Sequence, residues 1–137
     1  MSEWSIFVNN KKLNLFQKFA GEIRFGPEYI NLKSEPEIKE LNSKIYGDWF
    51  YLTEIGIFLQ EWKSLSLPNS SLIFINFETL EYKKLEENIK SVFWNINEDN
   101  NYFHLNISIN KEKKIELKIN KEKIKTADNS GLAQLGF

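Results

Sequence analysis

Residues 52–65 read Leu-Thr-Glu-Ile-Gly-Ile-Phe-Leu-Gln-Glu-Trp-Lys-Ser-Leu, and the periodicity assigned to them decides the fold class. Ile55, Phe58, Leu59 and Trp62 recur at i, i+3, i+4 and i+7, the spacing that lines up one face of a helix. Thr53 carries the hydroxyl an N-cap needs, Glu54 suits the positive first turn and Lys63 the negative last one. Gly56 argues the other way, because inside a helix it costs about 1 kcal/mol relative to alanine. Pro68-Asn69-Ser70-Ser71 ends the segment. The spacing predicts one main amphipathic helix.

Around this segment the chain alternates with the period of a strand. Ile6-Phe7-Val8 and Leu13-Asn14-Leu15, separated by Asn9-Asn10-Lys11-Lys12, predict a hairpin, since asparagine tolerates left-handed turn geometry. Glu22-Ile23-Arg24-Phe25 and Ile30-Asn31-Leu32-Lys33 alternate on either side of Gly26-Pro27, and Pro27 marks a bend or an edge. Ile73, Ile75 and Phe77 follow, with a phase shift to Leu80 and Tyr82. Then come Val92, Trp94 and Ile96; Phe103, Leu105, Ile107 and Ile109; and Ile115, Leu117 and Ile119. Each strand has one apolar and one polar face, the signature of a sheet covered on one side. The expectation is a single α+β domain over residues 1–137, an antiparallel β-sheet meander with one main α-helix packed on one face. The tail after Thr126 either caps the sheet through Leu132, Leu135 and Phe137 or frays.

Composition narrows the chemistry. The chain has no cysteine and one histidine, His104, so most nucleophiles, redox groups and metal ligands that act near neutral pH are missing. No phosphate-cradling glycine loop, nucleophile elbow or dinucleotide fingerprint occurs. His104 falls on the polar side of its strand, where a role as general base would need an orienting carboxylate. Glu78 with Glu81, or Glu86 with Glu87, can be nominated as carboxylate pairs for glycosidase-type chemistry, but nothing distinguishes them from surface acids. The expectation is therefore no catalysis, no metal and no cofactor. No apolar run approaches the length of a membrane span and no secretory signal is visible, which predicts a cytoplasmic protein without a membrane partner.

Charge is unevenly spread. Glu28 to Lys63 holds seven acids against four lysines, whereas Lys111 to Lys125 holds seven lysines against three glutamates. Within the acidic half, Tyr46-Gly47-Asp48-Trp49-Phe50-Tyr51 packs four aromatics into six residues. Side chains alternate across a strand, so if Trp49 and Tyr51 face the core, Tyr46 and Phe50 point elsewhere. Aromatics flanked by acids make good protein-interface anchors. Direct nucleic-acid binding is disfavoured, because the aromatics lie in the acidic part and the lysine-rich strands carry none.

The strand containing Gly21-Glu22-Ile23-Arg24-Phe25-Gly26-Pro27, the segment ending Phe58-Leu59-Gln60-Glu61-Trp62, and the meander after it together resemble small bacterial immunity proteins of polymorphic-toxin and contact-dependent growth inhibition systems. The resemblance is one of architecture and covers most of the chain. It implies a cytoplasmic protein whose partner is a cognate toxin domain, in many such systems a nuclease with a basic cleft. On that reading Glu35, Glu37, Glu40, Asp48, Glu54 and Glu61 steer toward the cleft. Tyr46, Trp49 and Phe50 supply the anchors. The alternative is a small-molecule or carbohydrate-binding domain with Trp49 and Tyr51 as a stacking platform.

Overall fold

Residues 52–65 form a hairpin turn and a strand, not a helix. The computed structural model describes residues 3–22 and 28–125. Seven strands run in sequential antiparallel order: β1 (Ser5–Asn9), β2 (Asn14–Glu22), β3 (Glu28–Glu35), β4 (Ile45–Leu52), β5 (Gly56–Trp62), β6 (Ser70–Asn76) and β7 (Tyr82–Ile89). Three more, β8 (Trp94–Glu98), β9 (Tyr102–Ser108) and β10 (Lys114–Asn120), make a second sheet in the order β10-β9-β8. Among the described residues, helix is confined to a 3-10 turn at Lys39–Leu41 and a single turn, α1, at Lys121–Ile124. With 60% strand and 6% helix, the α+β expectation is overturned and the fold is mostly β.

The physical reason lies in β5. All seven of its residues are buried, and so are all seven of β6. A strand covered on both faces needs apolar residues at odd and even positions alike, so strand alternation disappears and a helical spacing emerges by coincidence. Ile57 and Leu59 enter one core and Phe58 the other. The cap chemistry expected of Thr53 is real but serves a turn: its Oγ1 accepts from the Ile55 and Gly56 amides at 3.2 and 3.0 Å and donates to the Gly56 carbonyl at 2.8 Å. Gly56 is required there, because a Cβ would collide with the Ile75 carbonyl oxygen and the Phe74 ring.

One core lies inside the first sheet. Val8, Leu15, Ile30 and Leu32 from β1–β3 share a cluster with Ile57, Leu59, Ile73 and Ile75 from β5 and β6. In a flat sheet β1 and β6 would stand about 24 Å apart at the usual strand spacing. The sheet must therefore coil until its two halves face each other. Ile38 and Leu41, flanking and ending the 3-10 turn, join this core. An ion pair between Lys12 and Glu78 ties the β1–β2 turn to the β6–β7 turn.

The second core lies between the sheets. Phe58, Leu72, Phe74, Leu85 and Ile89 pack against Trp94, Phe103, Leu105, Ile107, Leu117 and Ile119, with Ile124 of α1 at the end. The covering layer that sequence reasoning assigned to a helix is thus a three-stranded meander. Its predicted strands hold, with Phe103, Leu105 and Ile107 inward on β9 and Leu117 and Ile119 inward on β10, whereas Ile115, expected on that same face, is exposed next to the β9–β10 turn. The first hairpin holds as well, closing with Asn9 opposite Asn14. The Ile23–Pro27 stretch and the tail from Thr126 lie outside the described residues.

Candidate functional site

Two places on the molecule combine sequence-predicted residues with distinctive geometry. The first is β4. Its pairing with β5 runs from Tyr46 opposite Glu61 to Phe50 opposite Leu59, so two extra residues bulge between those pairs. Tyr46 and Phe50 consequently share one face, and Trp49 and Tyr51 take the other. Trp49 sits edge-on to Trp94 at 5.1 Å, and Tyr51 packs against Phe58 and Phe103 at 6.4 and 6.2 Å. The Tyr51 hydroxyl donates to Glu98 at 2.6 Å, which pushes its pKa up to about 12. Trp49 and Tyr51 therefore brace the second sheet while each stays half-buried.

The other face of β4 divides along its length. Tyr46 is wholly buried. Phe50, packed edge-on against Phe7 at 4.8 Å, keeps 40% of its surface exposed, and Leu52 keeps 45%. Asp48 precedes them and Glu54 follows in the turn, both exposed. An exposed apolar pair with a carboxylate at each end is the outcome.

The second place is Glu61. Sequence reasoning put it on an acidic surface, but it retains only 4% of its exposure, and a charge so buried must be matched. Tyr82 on β7 donates to its Oε1 at 2.9 Å, and the Tyr46 and Tyr82 hydroxyls meet at 2.9 Å. Lys44 approaches Oε1 at 3.4 Å while lying 4.4 Å above the Tyr82 ring. Lys84 and Lys63 approach Oε2 at 3.8 and 4.0 Å, and both also reach Glu87 Oε2 at 3.7 and 3.9 Å. Burial, foremost, raises the pKa of both tyrosines, so the hydroxyls stay protonated and able to donate. Lys84 close beside it pushes Lys63 down, while Lys84 is held up. Three lysines cover one buried acid, so this end of the coiled sheet is cationic at its surface.

The remaining predicted acids, Glu35, Glu37 and Glu40, are exposed around the 3-10 turn. The structure therefore separates the predicted partner residues: Asp48, Phe50 and Glu54 gather along β4, while Tyr46 and Glu61 are interior. Glu78 pairs with Lys12, Glu81 lies 3.7 Å from Lys83, and Glu87 belongs to the lysine cluster. His104 is held between Asp99 Oδ2 on Nε2 at 2.8 Å and Glu116 Oε1 on Nδ1 at 3.2 Å. With both ring nitrogens engaged by carboxylates, the proton is retained, and its pKa is raised by Asp99 first and Glu116 second. Among the described residues no group of three or more His, Asp or Glu side chains is placed to hold a metal ion, and no helix is long and apolar enough to cross a membrane.

Sequence reasoning missed Lys44, Lys63, Tyr82 and Lys84 as a unit. The one available signal was Gln60-Glu61 inside an otherwise apolar run, which requires buried polar partners once that run is read as a two-sided strand. Comparison of the chain with known protein families, with curated proteins and with solved structures found no match.

Proposed function

We propose that this protein is a binding module of the immunity type, which neutralises a cognate bacterial toxin domain in the cytoplasm by occupying its surface. What carries the reading is the exposed side of β4, where Phe50 and Leu52 stand between Asp48 and Glu54. Partly exposed aromatics ringed by charge are the residues that dominate protein interfaces once desolvated. The acids add long-range attraction to a cationic partner and speed encounter without adding much affinity. Glu35, Glu37 and Glu40 extend the negative potential beyond the β4 patch. Tyr46, Trp49 and Glu61 act in this scheme only by shaping β4, since their side chains are occupied inside.

The test is co-expression with candidate toxin domains, read as growth rescue, followed by titration of the purified pair. Wild type restores growth, and Phe50→Ala weakens binding by about thirtyfold or more, the cost of losing an interface anchor. Full rescue by a Phe50→Ala, Leu52→Ala double variant with unchanged affinity would overturn the assignment of this face. Absence of rescue by the wild-type protein would overturn the function.

A further inference from the structure

The arrangement around Glu87 points to a second binding site. Lys63 Nζ, Lys84 Nζ, Glu61 Oε2 and Glu87 Oε2 form a quadrilateral whose four ion-pair edges measure 4.0, 3.8, 3.9 and 3.7 Å. Each edge exceeds the length of a direct charge-assisted hydrogen bond, about 2.8 Å, so the ammonium groups are attracted to the carboxylates without being saturated by them. The two acids are unequal. Glu61 is locked by Tyr82 and buried, whereas the Glu87 side chain is 53% exposed. Ser71 faces the same side, directly across the strand pair from Glu61, and its buried hydroxyl has no hydrogen-bond partner among the described residues.

We propose that Lys44, Lys63 and Lys84 form a receptor for a small phosphate-class dianion, with Glu87 occupying the anion's place until one binds. Charge counting sets the class. Three ammonium groups against two carboxylates leave one positive charge, and when Glu87 swings into solvent they leave two. A dianion neutralises that remainder and a monoanion does not. Phosphate also offers several oxygens at tetrahedral spacing, enough to bridge Lys63 and Lys84 together, which a single carboxylate oxygen does only loosely. Lys44, held over the Tyr82 ring and 3.4 Å from Glu61 Oε1, adds the third positive charge from the other oxygen of the Glu61 carboxylate. Glu61 remains in place as the fixed counter-charge that keeps three lysines together when no ligand is bound. The site is separate from the β4 face proposed for the protein partner, and its occupancy does not depend on that reading.

The experiment is calorimetric titration of the full chain with inorganic phosphate at low ionic strength, where screening is weak. Expected are saturable binding, competition by sulfate and none by acetate at equal ionic strength. Lys84→Gln weakens phosphate by about tenfold, the usual scale for one charge-assisted contact. Glu87→Gln tightens it, because the internal competitor is gone. Lys118→Gln, a change on the outer face of β10, leaves affinity unchanged. Should Lys84→Gln fail to fold, Lys63→Gln serves in its place, since Lys63 lies beyond the end of β5. The proposal is overturned by the absence of saturable binding, by equal weakening in the Lys63, Lys84 and Lys118 variants, or by a Glu87→Gln affinity no tighter than wild type.

Discussion

Tyr82 Oη donates a 2.9 Å hydrogen bond to Glu61 Oε1, joining β7 to a carboxylate buried two strands away on β5. The link matters because Glu61 has lost nearly all contact with water, and a carboxylate buried in this way must find its donors within the protein. Tyr82→Phe removes that donor and also strips the Tyr46 hydroxyl of its partner. The expected cost is about 1–3 kcal/mol of folding stability, the range for a buried group left unsatisfied. Urea unfolding of the two proteins measures it, and a difference near zero would mean that Glu61 needs no help from Tyr82.

Gly56→Ala separates the two ways of reading residues 52–65. In a helix, alanine would stabilise by about 1 kcal/mol. In the observed strand the new Cβ meets the Ile75 carbonyl oxygen and the Phe74 ring, so stability falls by about 1–3 kcal/mol, as for other overpacked sites. The sign of the change in thermal midpoint decides between them.

Gly47→Ala tests the junction that feeds the second sheet. Gln60 accepts from Trp62 Nε1 at 2.7 Å and donates to the Val92 carbonyl at 3.0 Å, just ahead of β8. A Cβ at Gly47 would strike both Gln60 Oε1 and Trp62 Nε1. The expected loss is again about 1–3 kcal/mol. Hydrogen exchange would speed up most in the segment around Val92.

His104 makes the stability of the second sheet depend on pH. Its pKa is raised above the ordinary 6.5, so its contribution is complete below that pH and fades as pH rises through the folded-state value. Asp99 is lowered from 3.8 to about 2, by the His104 hydrogen bond first and then by the Asn101 and Tyr102 amides. Its contribution is complete above 3.8 and fades as pH falls toward 2. The clamp is therefore strongest between those limits. His104→Gln should lower the thermal midpoint at pH 5.5 and have a smaller effect at pH 9. An NMR titration of the imidazole should give a midpoint above 6.5.

Reversing the charges of Glu37 and Glu40 tests steering without disturbing the interior, since both side chains are exposed. The association rate with the toxin domain should fall, and the gap from wild type should close in high salt as screening sets in. An unchanged rate at low salt would remove these residues from the encounter surface.

Alternation in residues 103–109 and 115–119 was enough to place β9 and β10, because each has one wet face, although Ile115, expected inward with Leu117 and Ile119, is exposed near the start of β10. The same holds for the β1–β2 hairpin, whose asparagine turn is local chemistry. On β4 the split of Trp49 and Tyr51 from Tyr46 and Phe50 was also legible, as a consequence of side chains alternating across an extended chain. Residues 56–62 were not legible in the same way. A strand enclosed by two cores carries no wet face to set its period, and Thr53 offers the same hydrogen bonds to a turn as to a helix start.

The chain's order of residues determined that it would be rich in antiparallel strands and would lack most catalytic side chains, since both follow from local pattern and composition. Tertiary structure alone decided that Glu61 lies inside a lysine cluster rather than on an acidic surface. Its neighbours arrive from elsewhere in the sheet, Lys44 from just ahead of β4 and Tyr82 and Lys84 from β7. Pairing of β5 with β4 on one side and, through β6, with β7 on the other brings them to one place, and it does so through contacts between residues far apart in sequence.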